Sequence, residues 1–225
     1  MASGSRRVAL VTGSSRGLGA AIARRLADDG LGVAVNSRRA GSGADAVVEG
    51  IRSSGGVAGA FIADVTDEQG VTGLVAEVEA GLGTIDVLVL NATGPQPEGP
   101  VTEATWDDHL AQLDFFVKSP VLLGRAVLPG MTAKGAGRIV QIDSEVVDVV
   151  PSLRSAYVTA KSAQIGLARS WARELASLGI DCHLLPSWMD IDTPDDLRYL
   201  RSALSPALER ALPNTLRVLR RLGFH

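Results

Sequence analysis

The 225-residue sequence predicts an α/β fold: a doubly wound parallel sheet of about six strands, followed by an atypical helical C-terminal tail. Three observations point there. Short β-branched runs alternate with longer stretches of helical spacing, the runs are apolar without strict alternation, and a glycine-rich turn directly follows the first run. Apolar runs of that kind suit strands covered on both faces, as helices cover a parallel sheet. In chain order, residues 8–11, 32–35, 58–62, 85–90, 138–142 and 180–185 read as strands. Residues 18–28, with Leu18, Ile22 and Leu26 in register, and residues 156–178 carry helical spacing, and Gly30 and Gly179 stand where helices end. Right-handed crossovers join such units. The Pro- and Gly-rich stretch 93–100 reads as a connection and not a domain boundary. After Pro186 the chain becomes helix-forming and Arg-rich, with no further strand candidate.

Composition narrows the function. With 46% hydrophobic residues the chain supports one sizeable core, and 21% charged residues exclude a disordered chain. The 22 basic and 25 acidic residues are interspersed, so no basic stripe tracks a phosphate backbone and nucleic acid is not an expected partner. Cys182 is the single cysteine and forms no internal disulfide, which fits a reducing, cytoplasmic setting. No apolar run approaches the ~18 residues of a membrane span, and the first seven residues lead straight into a strand, unlike a signal peptide. Nine aromatics against 25 glycines predict a core of small aliphatic residues and closely approaching backbones. The expected organisation is one domain over residues 1–189, with 190–225 as an extension of it.

Two clusters carry chemistry. The first is the turn Thr12-Gly13-Ser14-Ser15-Arg16-Gly17-Leu18-Gly19. Its glycines permit a tight turn, close backbone approach to a pyrophosphate and close helix packing, while the helix that starts here offers unpaired N–H groups to phosphate. The Gly-x3-Gly-x-Gly spacing differs from the commoner Gly-x-Gly-x2-Gly of dinucleotide binders. The second is Ser144, Tyr157 and Lys161. Tyr157 and Lys161 are i and i+4 on one helix face. An ammonium beside a phenol favours the phenolate, so such a pair suits proton exchange with a substrate oxygen. Ser144 follows a strand, where its hydroxyl can hold a carbonyl beside the phenol.

In this order and spacing the chain resembles the short-chain dehydrogenase/reductase family, of the 3-oxoacyl-carrier-protein-reductase-like kind, over about residues 6–181. The resemblance rests on the Thr12–Gly19 turn, Asp64-Val65, a variant Asn91-Ala92-Thr93-Gly94, Ser144, and Tyr157-x3-Lys161. It implies a Rossmann-type sheet that binds a dinucleotide. By the same resemblance, Asp64 and Val65 touch the adenine and Asn91 to Gly94 line the cofactor. Tyr157 is then the proton donor, Lys161 holds the nicotinamide ribose, and Ser144 orients the carbonyl. The second strand ends Val35-Asn36-Ser37-Arg38-Arg39 with no carboxylate to repel a 2′-phosphate. With Arg16 at the same mouth, Ser37 and Arg38 favour NADP(H), because guanidinium groups pair with phosphate.

Two departures stand out. The family's proton-relay asparagine falls at Phe116, with Asp114, Lys118 and Ser119 as polar neighbours able to substitute. The usual Pro-Gly and substrate lid after the sixth strand are replaced by residues 186–225, which resemble the C-terminal end of nucleotidyltransferase- or glycosyltransferase-like proteins. In that tail Thr193 reads as an N-cap, with Pro194, Asp195 and Asp196 in the first turn, and Asp190 and Asp192 are not expected to hold a metal. Leu197, Leu200, Leu204 and Leu208, then Leu216, Leu219 and Leu222, form apolar stripes that predict packing against the domain. The expected activity is hydride transfer between NADP(H) and a ketone, secondary alcohol or 3-oxoacyl thioester. The alternative is a degenerate relative that binds nucleotide or a partner protein with little turnover. A homodimer through the helices near 105–131 and 155–178 is expected, a tetramer less so.

Overall fold

A computed structural model describes residues 6–182. Six parallel strands form one sheet in the order β3-β2-β1-β4-β5-β6: β1 Val8–Val11, β2 Gly32–Ser37, β3 Val57–Ile62, β4 Ile85–Leu90, β5 Gly137–Gln141 and β6 Ile180–Cys182. The doubly wound class predicted from the sequence is the observed one. Strand β2 runs two residues further than its apolar run, because Asn36 and Ser37 are themselves buried at 1% and 3% exposure and pair with β3. The expected strand residues 183–185, the end of the first domain, the tail resemblance and the leucine stripes all lie outside the described residues.

Helices α1 Gly17–Asp28 and α2 Ala44–Ser53 cover one face of the sheet, and α3 Glu68–Gly81, α5 Ser119–Lys134 and α7 Ser155–Leu175 cover the other. Alternate strand residues feed the two cores. Val8 and Leu10 join Leu74, Val78, Leu123 and Met131, whereas Ala9 and Val11 join Ala23, Val47 and Ile51. Every residue of β1 is buried, which explains an apolar run without alternation. The path between β4 and β5 is built from α4 Trp106–Leu113, one π turn Asp114–Lys118, and α5. Thr105 caps α4 by a reciprocal box with Asp108. The short α6 Val146–Val149 precedes α7, which ends in a 3-10 turn and the left-handed Gly179. No helix among the described residues is long and apolar enough to cross a membrane.

The chain leaves β1 toward β2 and β3 on one side, then returns to place β4 against β1 on the other. In an open α/β sheet that reversal opens a crevice at the strand C-termini, and ligands bind there. The Gly turn and the Asn91 to Gly94 segment leave β1 and β4 on either side of it.

Candidate active site

Thr12 joins the two lips of this crevice. Its Oγ1 donates to the Val89 carbonyl at 3.1 Å and accepts from the amides of Asn91 at 2.9 Å and Ala92 at 3.0 Å. Asn91 answers from β4, its Nδ2 donating to the carbonyls of Thr12 at 2.9 Å and Gly13 at 3.2 Å. This packing requires glycine at two positions. A Cβ on Gly13 would lie 2.8 Å from the Ala92 Cα, and one on Gly19 would lie 2.6 Å from the Gly13 carbonyl.

Ser14 is fully buried, with its hydroxyl donating to the Val11 carbonyl at 2.6 Å and its amide to the Asn36 carbonyl at 2.9 Å. Both of its donors therefore serve the turn itself. Beyond it, the first bond that closes α1 runs from the Ala20 amide to the Arg16 carbonyl, and no side chain caps the helix. The amides of residues 15–19 thus have no acceptor among the described residues. An uncapped N-terminus of free donors, approached through glycine, is the cradle a pyrophosphate fits.

Arg16, at the N-cap of α1, is exposed, as are Arg38 and Arg39 just past β2, while Ser37 is buried and donates to the Arg39 carbonyl at 3.2 Å. Burial pushes the Asp64 carboxyl up, but the Thr66 hydroxyl and amide donating to it, helped by the charges of Arg38 and Lys118, hold it below its ordinary value. Asp64 and Arg38 therefore share one electrostatic neighbourhood. The Val65 side chain sits in the core, so only its backbone is presented to a ligand. Of the β4 segment, Ala92 packs on Gly13, Thr93 is exposed, and Gly94 lies so near the Phe115 ring that a Cβ would overlap it.

Tyr157 and Lys161 lie one turn apart on α7, exposed by only 9% and 4%. Tyr157 belongs to an apolar cluster with Phe116, Val146 and Ala160, its ring edge-on to Phe116 at 5.5 Å. The Lys161 ammonium donates to the Ile142 carbonyl at 2.7 Å and to Gln164 Oε1 at 2.9 Å, and lies 4.2 Å from the centre of the Phe116 ring. A cation over an aromatic face is favourable, and more so where water is excluded. Phe116 thus meets both residues, from a π turn that carries its side chain inward; such turns recur at functional sites. Of the polar neighbours considered for relay, Asp114 and Lys118 pair with each other at 3.6 Å on the exposed side, while Ser119 is buried. Ser144 stands three residues past the end of β5, half-buried, with its Oγ accepting from the Val146 amide at 3.3 Å.

A cleft of about 130 Å³ opens between Pro97–Gly99, Glu103, Asp108 and the start of α7 at Leu153, Ser155 and Ala156. Its walls are tied by an Arg154–Glu98 ion pair and by the Gly99 amide donating to the Leu153 carbonyl at 2.9 Å. Val150 and Leu153 hold left-handed backbone at φ 47° and 66°, an uncommon conformation outside glycine. Sequence reasoning passed over three residues that shape the site. In the sequence Asn36 marks only the absence of an acid, yet it links the turn to β3, accepting from the Gly13 amide and donating to the Phe61 and Ala63 carbonyls. Gln112 holds the 93–100 loop through the Pro95 carbonyl at 2.6 Å. Gln164 stands three residues after Lys161, and a polar residue on that inward stripe was the available signal.

Comparison with known proteins agrees with this geometry. Residues 7–193 match the short chain dehydrogenase family. The chain is 34% identical over 212 residues to cis-4-hydroxycyclohexanecarboxylate dehydrogenase of Sinomonas cyclohexanicum, covering 92% of this chain and 84% of that protein. It is 38% identical over 192 residues to the 3-oxoacyl-[acyl-carrier-protein] reductase FabG of Staphylococcus aureus, covering 84% and 77%. Among solved structures, a metagenomic short-chain oxidoreductase in complex with NADP superposes with a TM-score of 0.73 at 34% identity, covering 77% of this chain and 78% of that one. A 3-oxoacyl (acyl-carrier-protein) reductase from Agrobacterium tumefaciens with NADP bound does so with a TM-score of 0.72 at 38% identity, covering 79% and 68%. A switch-point crevice with a glycine cradle on one lip, a buried Tyr-Lys helix below it, and these matches together make the chain a member of the short-chain dehydrogenase/reductase family, an oxidoreductase that works with a nicotinamide cofactor.

Proposed function

We propose that the chain is an NADP(H)-dependent reductase of a ketone or a 3-oxoacyl thioester, with Ser144, Tyr157 and Lys161 as its catalytic residues. The observation that carries this reading is the pair Tyr157 and Lys161, both buried on one face of α7 beside the crevice at the C-terminal edge of β5. The bound nicotinamide supplies and accepts hydride. The amides of residues 15–19 hold the pyrophosphate, Asp64 and the Val65 backbone meet the adenine, and residues 91–94 form the opposite wall. Ser144 donates to the substrate carbonyl oxygen, Tyr157 gives that oxygen its proton as hydride arrives, and Lys161 holds the ribose and keeps positive charge beside the phenol. Arg16 at the start of α1 and Arg38 just past β2, both exposed, favour the 2′-phosphate of NADP(H); the NADP-bound structural relatives support that choice.

In this reading residues 1–189 are the nucleotide-binding domain, with 190–225 an extension of it, the chain works in the cytoplasm, and it pairs as a homodimer through α5 and α7. The second reading, a nucleotide binder with little turnover, draws on Phe116 occupying the relay position. Fluorescence titration with NADPH beside a turnover assay on acetoacetyl thioesters and small ketones separates the two. Turnover lost by at least about a hundredfold in Tyr157→Phe, with NADPH affinity kept, is the expected result. NADPH binding without turnover of any carbonyl supports the second reading.

A further inference from the structure

Gln164 is 3% exposed, and its side chain has one job visible from the geometry: Oε1 accepts from the Lys161 ammonium at 2.9 Å. Its Nε2 has no protein acceptor among the described residues, and neither has the hydroxyl of Ser119, itself 2% exposed. Both side chains line a cavity of about 10 Å³ shared with Thr12, Leu90, Ala92, Phe115 and Pro120, roughly the space one water needs. Each of these two atoms keeps some accessible surface, so a polar cavity of this size between them suits a bound water. On the far side of the same ammonium, Phe116 offers only a ring face.

Resting on the assignment of Lys161 as the ribose-holding residue, we propose that Gln164 is its positioning residue, and that Gln164 and Ser119 together seat one buried water that extends the Lys161 hydrogen-bond chain. This chain thus supports its lysine from the next turn of α7, where the residue at 116 provides no hydrogen bond. Gln164 reaches back three residues along the same helix, so the support is local and forms as the helix does. The neutral amide dipole favours the charged form of the lysine without neutralising it, leaving the ammonium its charge for the ribose.

The test is the pH dependence of NADPH binding to the full chain, read by fluorescence, so that it does not depend on knowing the substrate. Gln164→Leu should weaken NADPH binding about tenfold on the alkaline side and move the onset of that weakening about one pH unit lower, since a charge-assisted hydrogen bond is lost. Gln164→Glu should move the onset the other way, because a carboxylate holds the ammonium more strongly. A merely structural role would not give opposite shifts for two variants of similar size. Ser119→Val, which fills the water site, should move the onset in the same direction as Gln164→Leu by a smaller amount. Profiles of both Gln164 variants that overlay the parent overturn the proposal, and an unmoved profile in Ser119→Val alone overturns the water. Lys161→Met separates the underlying assignment: if it binds NADPH as the parent does, the lysine is not the ribose holder and the assignment fails first. A parent chain that binds no NADPH overturns both.

Discussion

Asn36 shows how much of the site depends on single polar side chains. It accepts from Gly13, exchanges bonds with Ser14, and donates to two carbonyls at the end of β3 and just beyond it, so the glycine turn cannot shift without moving β2 and β3. One residue past β2, Arg38 is proposed to set the cofactor preference. Arg38→Asp should weaken NADPH by about tenfold to a hundredfold and spare NADH, from the ~1.5–3 kcal/mol of a charged hydrogen bond. Equal losses for both cofactors in paired fluorescence titrations would remove the phosphate assignment. Asp64 gives a pH signature. Its native pKa is lowered from 3.8, so its contribution to stability is complete above 3.8 and is lost as pH falls through the lowered native value. Urea melts across that range should show Asp64→Asn less stable than the parent above 3.8, with the gap closing in acid. A gap that stays constant would mean that charge at residue 64 plays no part.

At the scale of elements, α5 and α7 meet at a glycine. A Cβ on Gly124 would come within 2.6 Å of the Trp171 ring, so the two helices sit as close as they do only because residue 124 has no side chain. Two effects oppose each other in Gly124→Ala. Helix propensity gains about 1 kcal/mol, whereas forcing extra volume into a filled contact costs about 1–3 kcal/mol. The variant should therefore be destabilised, by up to ~2 kcal/mol in chemical denaturation, with a shift in Trp171 emission. A stabilised variant would show that the ring moves aside freely. The π turn works at the same scale. The connection from α4 to α5 is helical throughout, but the wider turn at 114–118 sets Phe116 against Tyr157 and Lys161 while Phe115 packs by Gly94.

Across the molecule, the sheet is the frame that brings residue 12 to residues 91 and 92 and sets residue 161 against residue 142. Its two cores press on both faces of β1 and β4, so the crevice between those strands is held by the best-buried part of the described chain. The proposed homodimer belongs to this scale. Small residues along α7, among them Ala163, Gly166 and Ala168, permit close helix packing between copies, and light scattering at micromolar concentration should return twice the chain mass. A monomer under those conditions would rule out the helix-pair interface.

What the sequence determined alone is the part governed by local and periodic rules. Six apolar runs set the strands, because a run buried on both faces needs no alternation, and the Thr12–Gly19 turn with Tyr157 and Lys161 at i, i+4 marked the candidate site, because backbone approach and helix geometry restrict the residue types there. Tertiary structure alone decided which polar side chains answer one another. Ser14 reads as a cofactor contact until Val11 and Asn36 are seen to take both its donors. Asp114 and Lys118 read as relay candidates until they pair in solvent, and Gln164 emerges only once Lys161 is seen between Ile142 and Phe116. Those contacts join residues up to 45 positions apart, or choose among several polar neighbours on one helix, and a one-dimensional pattern holds no record of which of them close when the sheet assembles.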